Sequence, residues 1–225
     1  MGYLKHKMEE LTNPFSFFFF FVSSSAVAGN IRAIFTFGDS IFDAGNNHFN
    51  PNCSIQADFP PYGRTGRFTN GRTVIDFVSE LLGVELQKPY LEVELEIAKG
   101  ILNKYPVNGI NFASVGSGVL NDTTFSLFNT LLSYLMIPNS QKPGAIPSEG
   151  YSNVLSACCG DGTLRGMGQC GVGEYTVCDR PDEFLFWDFF HPTGHTYSLL
   201  TKAFWTGNQK KIRPRNLQTL ANTTL

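Results

Sequence analysis

Histidine is scarce in this chain, with four in 225 residues. Any imidazole-dependent chemistry must therefore use one of His6, His48, His191 or His195. Charge is also sparse, at 16% of residues with a net charge of −2. No basic run stands out, which leaves no electrostatic ground for a nucleic-acid partner. No stretch reaches the ~18 consecutive apolar residues of a membrane-spanning helix, so stable membrane insertion is not expected. There is no paired Cys-x-x-Cys, and no histidine stands at zinc-ligand spacing from the five cysteines Cys53, Cys158, Cys159, Cys170 and Cys178. A zinc cluster is the competing reading of the four between 158 and 178, but disulfides fit better, with one cysteine left over and the connectivity open.

What is present begins with an N-terminus of a different kind. Lys5 and Lys7 precede "PFSFFFFFV", and "SSSAVAG" follows with a small-x-small site at Ala26-Val27-Ala28. A basic start, a short apolar core and small residues before a cut describe a secretory signal peptide over 1–28 and an exported, extracellular protein. The alternative is a buried or disordered arm, although six phenylalanines in the seven positions 15–21 would be an aggregation hazard if retained. In a secreted chain Asn52, Asn121 and Asn222 are glycosylation acceptors.

The remainder, 42% hydrophobic with 22 glycines, suits one α/β domain over residues 29–207. Residues 33–37 and "GINFAS" read as buried strands. "TVIDFVSELLG" has helical spacing, placing Val74, Phe77, Val78 and Leu81 on one face, with Thr73 and Asp76 as a capping box and Gly83 as the stop. "EFLFWDFF" is apolar and aromatic. "GHTYSLLTKAFW" reads as a helix with Tyr197, Leu200 and Phe204 toward the core. Residues 208–225 read as a polar, frayed tail. Strands alternating with helices predict a parallel sheet with helices on both faces. In such sheets functional loops gather at the carboxyl ends of strands.

Ser40 follows the first strand in "FTFGDSIFDAGNN", and the glycine loop 114–118 follows the second. Asp188 and His191 follow the aromatic segment, three residues apart. A serine hydroxyl needs a base, and the base needs a group to fix its tautomer. Alone, Ser40 is as well read as a turn residue, and Asp-x-x-His as a surface turn. His195, in the first turn of a helix, reads as a surface or capping residue.

Several motifs in order carry a resemblance. "FGDSIFDAGNN", "YGRTGRFTNGRTVIDFVSELLG", "GINFASVGSGVL", "SACCGDG" and "FLFWDFFHPT" resemble the blocks of the plant GDSL esterase/lipase family, within the SGNH-hydrolase superfamily, over most of residues 33–205. The resemblance implies a three-layer α/β/α, flavodoxin-like fold. It implies hydrolysis of carboxylic esters, of lipids or of small acyl compounds, without metal or cofactor. It assigns Ser40 as nucleophile, His191 as general base and then acid, Asp188 as its orienter, and the amides of Ser40 and Gly116 as oxyanion donors. Asp39 and Asp43 read as caps of the turn and helix start near Ser40. Asn46, Asn47, Arg64, Arg67 and Arg72 read as loop structure or surface charge.

The family's Gly-x-Asn-Asp block, whose asparagine supplies a third oxyanion donor, has no counterpart. Asn121 in "GVLNDT" is a poor substitute, better read as a turn or glycosylation site. Only 26 residues, Asn121 to Ile146, separate the second block from "PSEGYSNVLSACCG". One βαβ unit takes ~30 residues or more, so the fold is expected to be incomplete in the middle. Two readings follow: a secreted serine esterase or lipase, or a catalytically inactive remnant or binding module. No residue distinguishes one ester from another, and oligomeric state is silent.

Overall fold

The computed structural model describes residues 31–53, 56–59, 62–117, 151–209 and 212–223. Residues 1–28, read above as a signal peptide, Gly118, Asn121 and the rest of the central stretch lie outside them.

A parallel β layer organises the chain. The segments around Thr36, Pro89 and Asn111 meet as parallel bridges, with Asn111 in the middle. Ile34 and Thr36 donate their amides to Asn108 and Ile110, and Phe112 and Ser114 donate back to Thr36 and Gly38. That slanted pattern is the parallel ladder expected of buried β-branched and aromatic runs. The motif-rich C-terminal part adds β1 (Asn153–Ala157), which pairs in parallel with β4 (Phe184–Phe186). Between them, β2 (Cys159–Gly160) and β3 (Thr176–Val177) form an antiparallel pair.

Helices surround these strands: α1 (Asn46–Phe49), α2 (Val74–Leu82), α3 (Tyr90–Ala98), α4 (Gly194–Thr206) and α5 (Leu217–Ala221). In α2 the capping box of Thr73 and Asp76 is formed, and Gly83 ends the helix with φ +67°. Its buried face is Val74, Ile75 and Val78, whereas Leu81 is 47% exposed. The 3.6-residue period admitted either stripe; the packing partner α4 selected the one centred on Val74 and Val78. The sequence reading missed α3, whose alternating Leu and Glu leave no broad apolar stripe. The tail read as frayed contains α5, because Leu217 packs on the core and Ala221 is buried.

Two apolar clusters result. Ile34, Phe42, Val74, Val78, Ala113 and Tyr197 form the first. Phe59, Phe68 and Trp187 form the second, together with Cys158, Cys159 and Cys170. Cys158–Cys178 and Cys159–Cys170 are disulfides, and Cys53 stands outside both. Among the described residues no group of His, Cys, Asp and Glu is arranged to hold a metal ion, and no helix is long and apolar enough to cross a membrane.

Candidate active site

Ser40 lies in the turn that ends the first strand. Asp39 accepts the amide of Ile41 on its side chain and the amides of Phe42 and Asp43 on its carbonyl. This tight turn presents the Ser40 side chain at the edge of the β layer, half-buried.

Asp188 and His191 share the loop that leaves β4. The amides of Phe190 and His191 both donate to Asp188 Oδ1, at 2.8 and 2.7 Å, so the carboxylate organises its own turn. It also takes the ring: His191 Nδ1 lies 2.8 Å from Oδ1 and 2.9 Å from Oδ2. A carboxylate accepts, so Nδ1 carries the proton and Nε2 is left as the acceptor. His191 Nε2 lies 2.8 Å from Ser40 Oγ, across 151 residues of sequence. Both Asp188 and His191 are buried. Hydroxyl, imidazole and carboxylate thus stand in one hydrogen-bonded line.

The glycine loop comes to the same edge. Gly116 has φ +74°, a conformation that favours glycine, and a Cβ added there would meet nothing within 4 Å. The glycine requirement is therefore met by backbone conformation, and the space above it is open to a substrate. Among the described residues the amides of Ser40 and Gly116 have no hydrogen-bond acceptor.

Several residues read as plain loop or surface are structural instead. Asn46 and Asn47 are buried, and Arg67 keeps only 15% of its side chain exposed. Asn46 Nδ2 donates to the carbonyls of Asn111 and Ala113, and its Oδ1 accepts from the Leu91 amide. Asn47 Nδ2 donates to the Gly66 carbonyl. Arg67 grips Asp76 through Nε and Nη2 at 2.6 and 2.7 Å. Burial alone would lower the Arg67 pKa, but the hydrogen bond and charge of Asp76 raise it. Buried polar side chains need partners; the asparagines find theirs in main-chain groups of other segments, and Arg67 in the Asp76 carboxylate. Arg64 and Arg72 are exposed as expected, Arg72 paired with Glu80.

The loop 66–70 is the clearest omission of the sequence reading. The Phe68 ring stacks on His191, centroids 5.1 Å apart and planes at 26°. Thr69 Oγ1 donates to the Pro192 carbonyl, and Asn70 Oδ1 accepts from the Gly194 amide. Three consecutive side chains thus brace the histidine loop. Nothing in the local pattern announces this, since the contacts span more than 120 residues. His195 packs edge-on against Tyr151, away from the serine.

Asp43 is fully buried, and burial raises its pKa against the hydrogen bonds it receives. The Tyr197 phenol is pushed well up, first by burial and then by the charges of Asp39 and Asp188, and stays protonated. A cavity of about 710 Å3, lined among others by Ile31, Leu82, Val107 and Trp205, opens elsewhere, and none of its lining residues touches the Ser40–His191 pair.

Parallel strand pairings followed by serine, glycine loop and Asp-x-x-His, with helices beside them, define a protein of the SGNH-hydrolase class. Comparison with known proteins makes this particular. The family model described as GDSL-like lipase/acylhydrolase matches residues 34–149. GDSL esterase/lipase 6 of Arabidopsis thaliana is 36% identical over 337 aligned positions, covering 88% of this chain and 92% of the relative. GDSL esterase/lipase 5 of the same plant is 40% identical over 372 positions, covering 91% and 95%. The chain belongs to the GDSL lipase/acylhydrolase family, a family of ester hydrolases. No solved structure matches. Both alignments are longer than the 225 residues of the chain, so each opens over stretches of the relative that have no counterpart here.

Proposed function

We propose that this chain is an exported serine esterase that hydrolyses carboxylic esters through Ser40, His191 and Asp188. The observation that supports this most is the unbroken line from Ser40 Oγ through His191 to Asp188, with contacts of 2.8 Å on both sides of the ring. In the first half-reaction Nε2 takes the Ser40 proton as Oγ forms a bond to the ester carbonyl carbon. The carbonyl oxygen becomes an oxyanion facing the amides of Ser40 and Gly116. Collapse breaks the bond to the alcohol oxygen, which receives the proton from Nε2, and leaves an acyl group on Ser40. Water repeats the sequence: Nε2 takes its proton as the water oxygen bonds to the acyl carbon, the bond from that carbon to Ser40 Oγ breaks, Oγ receives the proton from Nε2, and the carboxylic acid leaves. Asp188 keeps Nδ1–H directed and stabilises the imidazolium between steps. Two disulfides and the exposed Asn52 and Asn222 agree with export.

With two main-chain donors and no asparagine block, turnover is expected to run ~10² to 10³ below that of a three-donor site. Short-chain p-nitrophenyl esters test the reading. Wild type should release p-nitrophenol, and Ser40→Ala should abolish the release; equal rates would remove Ser40 from the mechanism.

The unmatched stretches of the relatives favour a second reading, an inactive remnant or binding module. A fluorophosphonate that labels native but not heat-treated protein, at Ser40, would exclude it.

A further inference from the structure

Asp43 does more than its place in the turn demands. Its Oδ1 accepts from the amides of Gly45 and Asn46, at 2.8 and 2.7 Å, which closes the turn that leads into α1. That turn needs only the one oxygen, and the Asn47 side chain also hydrogen-bonds the carboxylate. The other, Oδ2, accepts from the amide of Val115 at 3.1 Å, across 72 residues. Val115 immediately precedes Gly116. Asp43 itself lies three residues after Ser40, in the turn whose carbonyl at Asp39 accepts the Asp43 amide. One buried carboxylate therefore bolts the serine turn to the glycine loop. The neighbouring links are one main-chain bond, Ser114 N to the Gly38 carbonyl, and one side-chain bond, Asn46 Nδ2 to the Ala113 carbonyl. Both of these stop short of Val115, so the Asp43 bond is the cross-loop hydrogen bond nearest the Gly116 amide, beside the packing of the Val115 side chain on the second apolar cluster and the turn bond from the Ser117 amide to the Ser114 carbonyl.

We infer that Asp43 is a positioning residue that sets the Gly116 amide relative to the Ser40 amide, holding the two-donor oxyanion site in register. The inference rests on the esterase reading above. Burying a carboxylate is costly unless its oxygens are hydrogen-bonded, and here the surplus oxygen is directed at the loop that carries the donor. With two donors instead of three, the site has little redundancy, and a displacement of about 1 Å costs roughly 10² in rate.

Asp43→Asn separates the two duties. Asparagine forms the same side-chain-to-backbone turn as aspartate, so its oxygen retains Gly45 and Asn46. Its NH2 then faces the Val115 N–H, and the cross-loop bond is lost. With the full chain and p-nitrophenyl acetate, kcat should fall about tenfold to hundredfold while KM changes by less than about threefold. Amide hydrogen exchange at Val115 should quicken by about tenfold or more, with cooperative unfolding retained. Unchanged kcat in a wild type that depends on Ser40 overturns the inference. So does unchanged exchange at Val115, whether or not the protein hydrolyses esters. Parallel losses in kcat, KM and cooperativity would show a structural role only and also overturn it. Hydrolysis that survives Ser40→Ala overturns the esterase reading instead, and leaves the exchange result to decide whether Asp43 holds the loop.

Discussion

His48 shows how one side chain near the site ties stability to pH. Its Nε2 lies 3.2 Å from the Ala57 carbonyl, which only accepts, so Nε2 carries a proton. Burial first, and the positive charge of Arg64 second, hold its pKa below the ordinary 6.5. The unfolded chain therefore binds a proton near 6.5 that the folded chain accepts only at lower pH. Stability from this residue is present above 6.5 and is lost as pH falls through the depressed value. Thermal melts should show the wild type losing more between about pH 7.5 and about pH 5.5 than His48→Gln does. An equal or smaller loss in the wild type would contradict this. At the same scale Asp188 carries three hydrogen bonds from its own loop, two from amides and one from the ring. Three-residue spacing made that turn geometrically possible in the sequence, but its burial was not visible there.

The elements that hold the histidine loop are short and rely on cross-links. β1 meets β4 over a few residues, and the Cys158 and Cys159 amides continue that pairing to the carbonyls of Phe186 and Trp187. The next residue is Asp188. Both disulfides thus lie one step from the loop that carries the histidine. The Cys159–Cys170 bridge closes 11 residues and Cys158–Cys178 closes 20. Loops of that size are worth about 3 kcal/mol each in the unfolded-chain entropy picture. Replacing Cys159 and Cys170 together by alanine should lower the urea-derived stability by about 2 to 3 kcal/mol. A loss under about 0.5 kcal/mol would mean that strand pairing alone secures the segment. The cysteine cluster was legible as disulfides because no ligand spacing competed. The pairing was not, since it depends on which β-carbons the strands bring close.

Across the whole molecule, Ser40 and His191 end two separate parallel pairings, the Thr36–Asn111 bridges and the β1–β4 pair, and the 66–70 loop ties the histidine loop in place. The contact joins the two apolar clusters, with Phe42 on the serine side and Phe68 and Trp187 on the histidine side. Denaturing either cluster should separate the pair. Fluorophosphonate labelling of Ser40 along a urea series should therefore fall with the same midpoint as Trp fluorescence, Trp187 being fully buried. Labelling lost well before the fluorescence transition would show that the site opens locally, independent of the core.

Local chemistry was readable without coordinates wherever it obeyed a local rule. The capping box at Thr73 and Asp76, the glycine stop of α2, the helix at 194–206 and the ordered motif blocks all depend on residues a few positions apart. The roles of Asn46, Asn47 and the 66–70 loop did not follow, because each is defined by a main-chain group or ring in another segment, and Arg67 did not because its burial against Asp76 is not written in the local pattern. An asparagine in a glycine-rich stretch looks the same whether it faces water or a buried carbonyl. Sequence alone determined which serine, histidine and aspartate side chains were there to be proposed as a triad. Only tertiary packing decided that they share a line, that Phe68, Thr69 and Asn70 brace it, and that Asp43 reaches Val115. Distances across more than seventy residues are set by how layers stack, and no periodicity encodes them.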